Sequence, residues 1–413
     1  MMSRNPAPGN RGRGNRGPGR VAIIGAGLGG LCLAQGLRRA GIAFDVYERD
    51  AAPDCRDQGY RIRINDRGQR ALAHCLTDEL YRLFRETCAM SQAGGRFFDT
   101  QLAPVTGRAA ASWRPSVVGD TEASEQGGDL SANRLTLREI LLCGLRERVH
   151  FGKSFRSFAM CGDGKVAIAF DDGTSAQCDI VVAADGVGSP VRAQRWPHVR
   201  PADTGSVCIY GTTPLTPDVR SRIAPSLLAG TSVIFADGFA LIVDAMRFRR
   251  SQRLRDCSLT PLDDYLYWAF IGPRDCFGFD EQGDLPPAGP SLASIVACRT
   301  YDWHPALKAM FEHGERAALA MLPIRSVALR SAWTPTAVTV LGDAAHAMSP
   351  AGGLGANTAL EDAARLAARL GEALAGDLSS LGAIAAYEQD MRERAAAAIA
   401  LSQQGAARLF SPA

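Results

Sequence analysis

Residues 1–19 of the chain are mostly Gly, Pro, Asn and Arg with almost no apolar position; such a stretch cannot bury a core and reads as a disordered tail. Order begins at Arg20. The run Val21-Ala22-Ile23-Ile24 is apolar on successive positions, so both faces are buried, which predicts a strand of a parallel sheet. A Gly-rich turn, Gly25 to Gly30, follows and opens a helical pattern over 31–40 that Gly41 closes. Ala43 to Glu48 reads as a second strand, completing a β-α-β unit of about 30 residues. Residues 91–128 have weak periodicity and many Gly, Ser and Ala, which predicts loops and short strands. Over 133–148 the apolar residues Leu137, Ile140, Leu141 and Leu145 fall at helical spacing, and 165–184 alternates as strands around a turn at Asp172-Gly173. Longer strand-like runs at 206–213, 231–246 and 265–271 have the texture of an antiparallel sheet. A strand returns at 337–341, followed by a Gly-rich loop and a helix near 359–374, and 381–410 is mostly helix-forming.

Composition narrows the class. The chain has 413 residues, 46% of them apolar, enough for a large core in two to three domains. No run of about 18 consecutive apolar residues exists and the start has no apolar signal core, so a cytoplasmic protein without membrane contact is expected. Gly numbers 43, an excess that fits several close backbone approaches. The 11 cysteines contain no C-x-x-C, which excludes zinc ribbons and thioredoxin-like motifs and leaves no metal site to expect; they read as buried thiols in a reducing compartment. Net charge is +3, but Arg4, Arg11, Arg13, Arg16 and Arg20 supply +5 of it, so the rest of the chain carries 3 − 5 = −2. The basic character is local and leaves no footprint for nucleic acid. Deletion of the tail is expected to leave activity intact.

Three turns carry chemistry. The first is Gly25-x-Gly27-x-x-Gly30, between strand and helix: Gly25 for the tight turn, Gly27 for backbone approach to a pyrophosphate, Gly30 for close helix–strand packing. The helix start offers free N–H groups to phosphate, and Glu48, 18 residues past Gly30, can accept from ribose hydroxyls. The second is Asp185-Gly186-Val187-Gly188-Ser189-Pro190-Val191-Arg192, where a strand delivers an acid to a glycine turn. The third is Gly342-Asp343-Ala344-Ala345-His346, continuing through Pro350 and Gly352-Gly353-Leu354-Gly355-Ala356-Asn357 into a helix. Asp343 is placed for a polyol chain, and the helix start for a planar ring carrying negative charge. His346 reads as a structural residue hydrogen-bonded beside the loop rather than a catalytic one.

These three motifs, in this order, resemble the class A flavin-dependent monooxygenases, the family of p-hydroxybenzoate hydroxylase, from about Arg20 to Leu374. The resemblance implies FAD as cofactor. Gly25, Gly27, Leu28, Gly30, Glu48 and Arg49 would hold its ADP half, and Gly342 and Asp343 the ribityl chain. Pro350, Gly353, Gly355, Ala356 and Asn357 would hold the ring, and Asp185 and Arg192 would support both FAD and the passage of NADPH or NADH. Asn133-Arg134-Leu135-Thr136-Leu137-Arg138 is similar to the segment whose last arginine, here Arg138, contacts FAD. Arg56 and Gly59 lie on a segment expected near the flavin. Arg192 is the candidate catalytic residue, although a structural role in its turn weighs more than contact with substrate. Tyr210, Phe235, Tyr267 and Met321 are candidate substrate-pocket residues, although core packing would explain each equally well.

The implied fold is α/β: a Rossmann-like FAD-binding domain over 20–90, 128–197 and 321–376, an inserted, mostly antiparallel β-sheet substrate domain over 91–127 and 198–320, and a C-terminal helical segment, 377–413. The implied activity is insertion of one oxygen atom from O₂ into a small aromatic or natural-product substrate through a flavin C4a-hydroperoxide. Epoxidation and Baeyer–Villiger-type insertion use the same intermediate. A FAD reductase that uses no O₂ and a non-catalytic flavin-binding protein are the other classes. The small-molecule substrate and O₂ are the expected partners, and either a monomer or a homodimer fits.

Overall fold

The structure, a computed structural model, describes residues 19–53, 60–90, 95–105, 128–249, 257–280, 290–329 and 332–410. The tail expectation falls outside these, its last residue, Gly19, excepted. The first strand, Arg20–Ile24, lies in a five-stranded parallel sheet in the order Val338–Val340, Ile180–Ala183, Arg20–Ile24, Ala43–Tyr47, Val149–His150. Val21, Ile23, Val46, Val181 and Val338 are fully buried, each contributing about 1.5–3 kcal/mol by leaving water. The helices Leu28–Arg39 and Gly355–Ala375 pack against each other on this sheet. The close approach needs small residues: a Cβ on Gly36 would meet that of Ala367 at 2.7 Å, and one on Gly29 the Leu341 side chain at 2.8 Å.

A second, six-stranded sheet runs Ala320–Ser326, Ala202–Pro214, Tyr265–Pro273, Ala240–Met246, Ser232–Phe235, Arg96–Asp99; only its last pair is parallel. The apolar run over 231–246 is a hairpin and not one strand, because the chain reverses at Gly238, whose φ is +79°. The sheet has two apolar faces. Ile209, Leu241, Trp268 and Phe270 point to a back face covered by the helices Pro290–Arg299 and Pro305–Glu312. Cys208, Tyr210, Phe235, Ile242 and Tyr267 point to a front face shared with Ala351 of the Gly-rich loop and Leu409 of the last helix, Ser380–Phe410. That helix also ties the loop through Ser402 Oγ, which donates to the Ser349 carbonyl at 2.7 Å.

One expectation fails. Cys143 and Cys257 form a disulfide, with Cα atoms 5.3 Å apart. Their separation of 114 residues gave no spacing signal; only the fold brings the end of the helix Arg134–Leu142 to this loop.

Candidate active site

Four neighbouring strands of the parallel sheet end at one edge. Ile24 pairs with both Ala183 and Tyr47, and Ala183 with Val340. The residues that follow, Gly25, Asp185, Glu48 and Gly342-Asp343, therefore leave the carboxyl ends side by side. At about 4.8 Å per strand these ends span roughly 14 Å. In open α/β sheets the crevice outside this edge is where nucleotides bind.

The glycine turn is built by sterics. Gly25 sits at φ +107°, and a Cβ there would lie 2.4 Å from the Ala184 carbonyl oxygen; a Cβ on Gly30 would lie 2.1 Å from that of Gly25. Gly27 is different, because nothing lies within 4 Å of where its Cβ would be. It caps the helix Leu28–Arg39 with no side-chain acceptor, so the first-turn N–H groups, that of Leu28 among them, remain available to a ligand. Glu48 is buried; its carboxylate accepts from the Ala26 N–H at 2.6 Å and the Asp50 N–H at 3.0 Å. Arg138 holds the turn from the other side, its Nε donating to the Ala26 carbonyl at 3.0 Å and its Nη1 to that of Pro53. Arg49 is exposed. Arg56 and Gly59 lie outside the described residues.

At the second turn Asp185 Oδ2 accepts from the Val191 N–H at 3.4 Å, while Oδ1 is buried without a hydrogen-bond partner. Burial pushes the Asp185 carboxyl up to about 6, against the Ser189 hydrogen bond and the Arg192 charge. Arg192 corrects an expectation. It is 2% exposed, its Nη1 donates to the Ala344 carbonyl at 2.9 Å and its Nη2 to that of Val187 at 2.7 Å. Both ends of the guanidinium are committed to backbone, so it clamps the second turn to the third and does not reach a substrate.

In the third turn Gly342 has φ +61°, and Asp343 projects from it exposed, with one oxygen 3.9 Å from where a Gly355 Cβ would be. The helix Gly355–Ala375 starts without a side-chain cap, leaving the N–H groups of Gly355 and Ala356 beside that carboxylate. Pro350 is exposed, and Gly353, at φ +62°, lies against the Arg63 side chain. Asn357 is 2% exposed and spent on scaffolding: it accepts from the Asn65 N–H at 2.9 Å and donates to the Arg63 and Gly353 carbonyls at 2.9 and 2.8 Å. Behind the turn His346 Nε2 meets Asp362 Oδ2 at 2.5 Å, which also accepts from the Gly342 N–H at 3.1 Å; Arg394 of the last helix donates to Oδ1 at 3.0 Å. Burial alone would lower the His346 pKa, but the Asp362 carboxylate outweighs it and holds the imidazole above its ordinary value.

The front face of the second sheet stands over this loop. Tyr210 and Tyr60 lie ring to ring at 5.1 Å, and Phe235 and Phe97 at 5.9 Å. Burial pushes the Tyr210 hydroxyl up to about 12 and Tyr267 well above its ordinary value. Met321 is the second correction. It is in register with Ile209, not with Cys208 or Tyr210, so it points to the back face. Its neighbour Leu322, opposite Cys208, takes the front face and is 49% exposed. A shift of one residue along a strand changes the face.

The segment expected near the flavin, Gly59-Tyr60-Arg61, includes Arg61, but its partners and the whole role of Arg63 are set by the fold. Arg61 Nε donates to Asp244 Oδ2 at 2.8 Å, and Ser131 Oγ to the same oxygen at 2.7 Å. Arg63 Nε donates to Asp129 at 2.6 Å and its Nη1 to the Gly352 carbonyl at 3.2 Å. The signal was the alternation Arg61-Ile62-Arg63-Ile64, which sets both arginines on one face of a strand. Among the described residues no group of His, Cys, Asp and Glu is arranged to hold a metal ion, and no helix is long and apolar enough to cross a membrane.

Comparison with known proteins bears on this crevice. Residues 313–402 match the family model for an FAD binding domain, and 23–87 that for an NAD(P)-binding Rossmann-like domain. The chain is 34% identical to the dual O-methyltransferase/FAD-dependent monooxygenase of Cercospora beticola over 94% of its own length and 46% of that protein, so it spans about half the length of this relative. It is 30% identical to an FAD-dependent monooxygenase of Aspergillus niger, over 95% of this chain and 94% of the other. The crystal structure of a protein from Photorhabdus luminescens, described as an FAD-containing monooxygenase, superposes with a TM-score of 0.81 at 30% identity, covering 95% and 98% of the two chains. With three backbone turns along one sheet edge and relatives aligned across nearly its whole length, the chain belongs to the FAD-dependent monooxygenase family.

Proposed function

We propose that this chain binds FAD along the carboxyl edge of its parallel sheet. With NAD(P)H and O₂ it would insert one oxygen atom into a small, uncharged aromatic or natural-product substrate held between the loop 350–357 and the front face of the second sheet. The fit to FAD rests on the open side of Gly27, the partnerless Oδ1 of Asp185 and the free carboxylate of Asp343 beside an uncapped helix start. In this reading the first-turn N–H groups at Gly27 and Leu28 take the pyrophosphate. Glu48, which already shapes the turn, receives the ribose; Asp343 binds the ribityl hydroxyls; and Gly353, Gly355 and Ala356 back the ring. Bound there, FAD supplies hydride acceptance and oxygen activation. The FAD-binding part is assigned to 20–90, 128–197 and 321–376, and the substrate part to 91–127 and 198–320.

The chain's own work is positioning and exclusion. The N-terminus of the helix Gly355–Ala375 favours negative charge on a ring placed against it. The front face, with Cys208, Tyr210, Val233, Phe235, Ile242 and Tyr267, keeps water from the reacting atoms. Tyr210 and Tyr267, their pKa values raised by burial, stay protonated at neutral pH and serve as hydrogen-bond donors. Arg61, fixed by Asp244 and Ser131, orients an oxygen substituent of the substrate.

The observation that carries the reading is the meeting of this aromatic, uncharged wall with the Gly-rich loop through Ala351. The test is to purify the protein, record its flavin spectrum, and follow NAD(P)H oxidation with a panel of fused-ring phenols under ¹⁸O₂. Stimulated oxidation with one labelled oxygen in the product is expected. Turnover without O₂ would replace the reading with that of a reductase.

A further inference from the structure

Behind the second sheet, on the face turned away from the flavin crevice, lies a cavity of about 140 Å³. Its walls are the strand Tyr265–Pro273, the helices Pro290–Arg299 and Pro305–Glu312, and the turn 314–319. Trp268 and Phe311 form one corner, edge to face at 5.1 Å and 81°. The indole cannot turn to fill the space: its Nε1 donates to Thr213 Oγ1 at 3.0 Å, and that hydroxyl donates to the Met310 carbonyl at 2.8 Å. Val296 and Leu319 complete its apolar part, each 4% exposed. Ala293 and Ala297 line it with short side chains, which leaves the volume open. At the mouth Glu312, Glu315 and Arg316 are exposed and Lys308 completes the rim, two charges of each sign.

We propose that this cavity is a second ligand site, for a small neutral molecule with a single aromatic ring. A cavity of about 150 Å³ lined by apolar side chains takes up benzene. The rigid Trp268–Phe311 corner offers a guest ring one face and one edge, the geometry aromatic pairs prefer. The rim charges cancel, so neither an anion nor a cation is favoured over a neutral guest. The site is separate from the flavin crevice yet shares a strand with it: Trp268 faces the cavity, and its neighbour Tyr267 faces the front.

The experiment titrates FAD-loaded protein with toluene by calorimetry and by ligand-detected NMR, in the native chain and in two variants that fill the cavity. Ala293→Leu fills it from the helix side; Ala297→Phe acts from an exposed position at the mouth, where folding is not at stake. One saturable site is expected in the native protein, weakened at least tenfold in either variant, with the flavin spectrum and thermal midpoint of Ala297→Phe unchanged. Absence of saturable binding to the native protein overturns the proposal. Undiminished toluene binding in Ala297→Phe also overturns it, since the guest would then sit elsewhere.

Discussion

Asp343 is the carboxylate on which the cofactor reading turns most directly. Exposed and free, it contributes little to the fold, so Asp343→Ala should keep its thermal midpoint as apoprotein yet bind FAD at least about tenfold more weakly, a loss near 1.4 kcal/mol; flavin fluorescence titration checks this. Arg192 should behave in the opposite way. Arg192→Met leaves the buried Ala344 carbonyl unpaired, at a cost of about 1–3 kcal/mol, and removes the bond to the half-buried Val187 carbonyl. Urea unfolding should show that loss, while turnover per bound flavin stays near the native value. Asp185 adds a pH dependence. Its folded pKa, about 6, lies above the ordinary 3.8, so the folded state prefers the proton. The stabilisation is full below pH about 4 and lost as pH rises through 6, about 3 kcal/mol in all. Relative to Asp185→Asn, the native apoprotein should lose thermal stability across that window, and parallel melting profiles would count against the buried carboxyl.

The glycine turn and the last helix act as whole pieces of backbone. A methyl group on Gly30 would strike the Gly25 carbonyl at 2.1 Å, which only a shift of helix against strand can relieve. Gly30→Ala should therefore purify without FAD even at excess flavin. Much of this element was legible along the chain, because a two-sided apolar strand, a glycine turn and a helix are local signals. The hairpin at Gly238 was less so, since the residues either side of it are apolar enough to read as one run. Gly405 of the last helix lies 3.7 Å, measured from where its Cβ would be, from the Gly352 backbone. Gly405→Leu should push on the loop and shift the flavin absorption bands in the loaded protein.

At the scale of the whole molecule, the two larger sheets stand face to loop, and the contacts around them come from distant parts of the chain. Asp244 of the second sheet fixes Arg61, which belongs to a small sheet beside the first. Asp244→Asn weakens that charge-assisted bond and should raise KM for an oxygen-bearing aromatic substrate several-fold with flavin content unchanged; steady-state kinetics on flavin-normalised enzyme measures it. The buried Asp362 joins Gly342, His346 and Arg394 in one network, so the third turn takes its shape from a residue 16 positions beyond His346 and another on the last helix.

What could be read along the chain was the order and chemistry of the three turns, because strand, glycine and acid are neighbours in sequence and their spacing follows backbone sterics. The parallel sheet and the Rossmann-like unit follow from the same local patterns. The assignment of faces required the folded chain. Strand register decides whether Met321 or Leu322 looks toward the loop, and packing decides that Arg192 and Asn357 are consumed by backbone carbonyls while Asp343 stays free. Side-chain direction depends on partners dozens to hundreds of residues away, and those contacts exist only once the sheets have assembled.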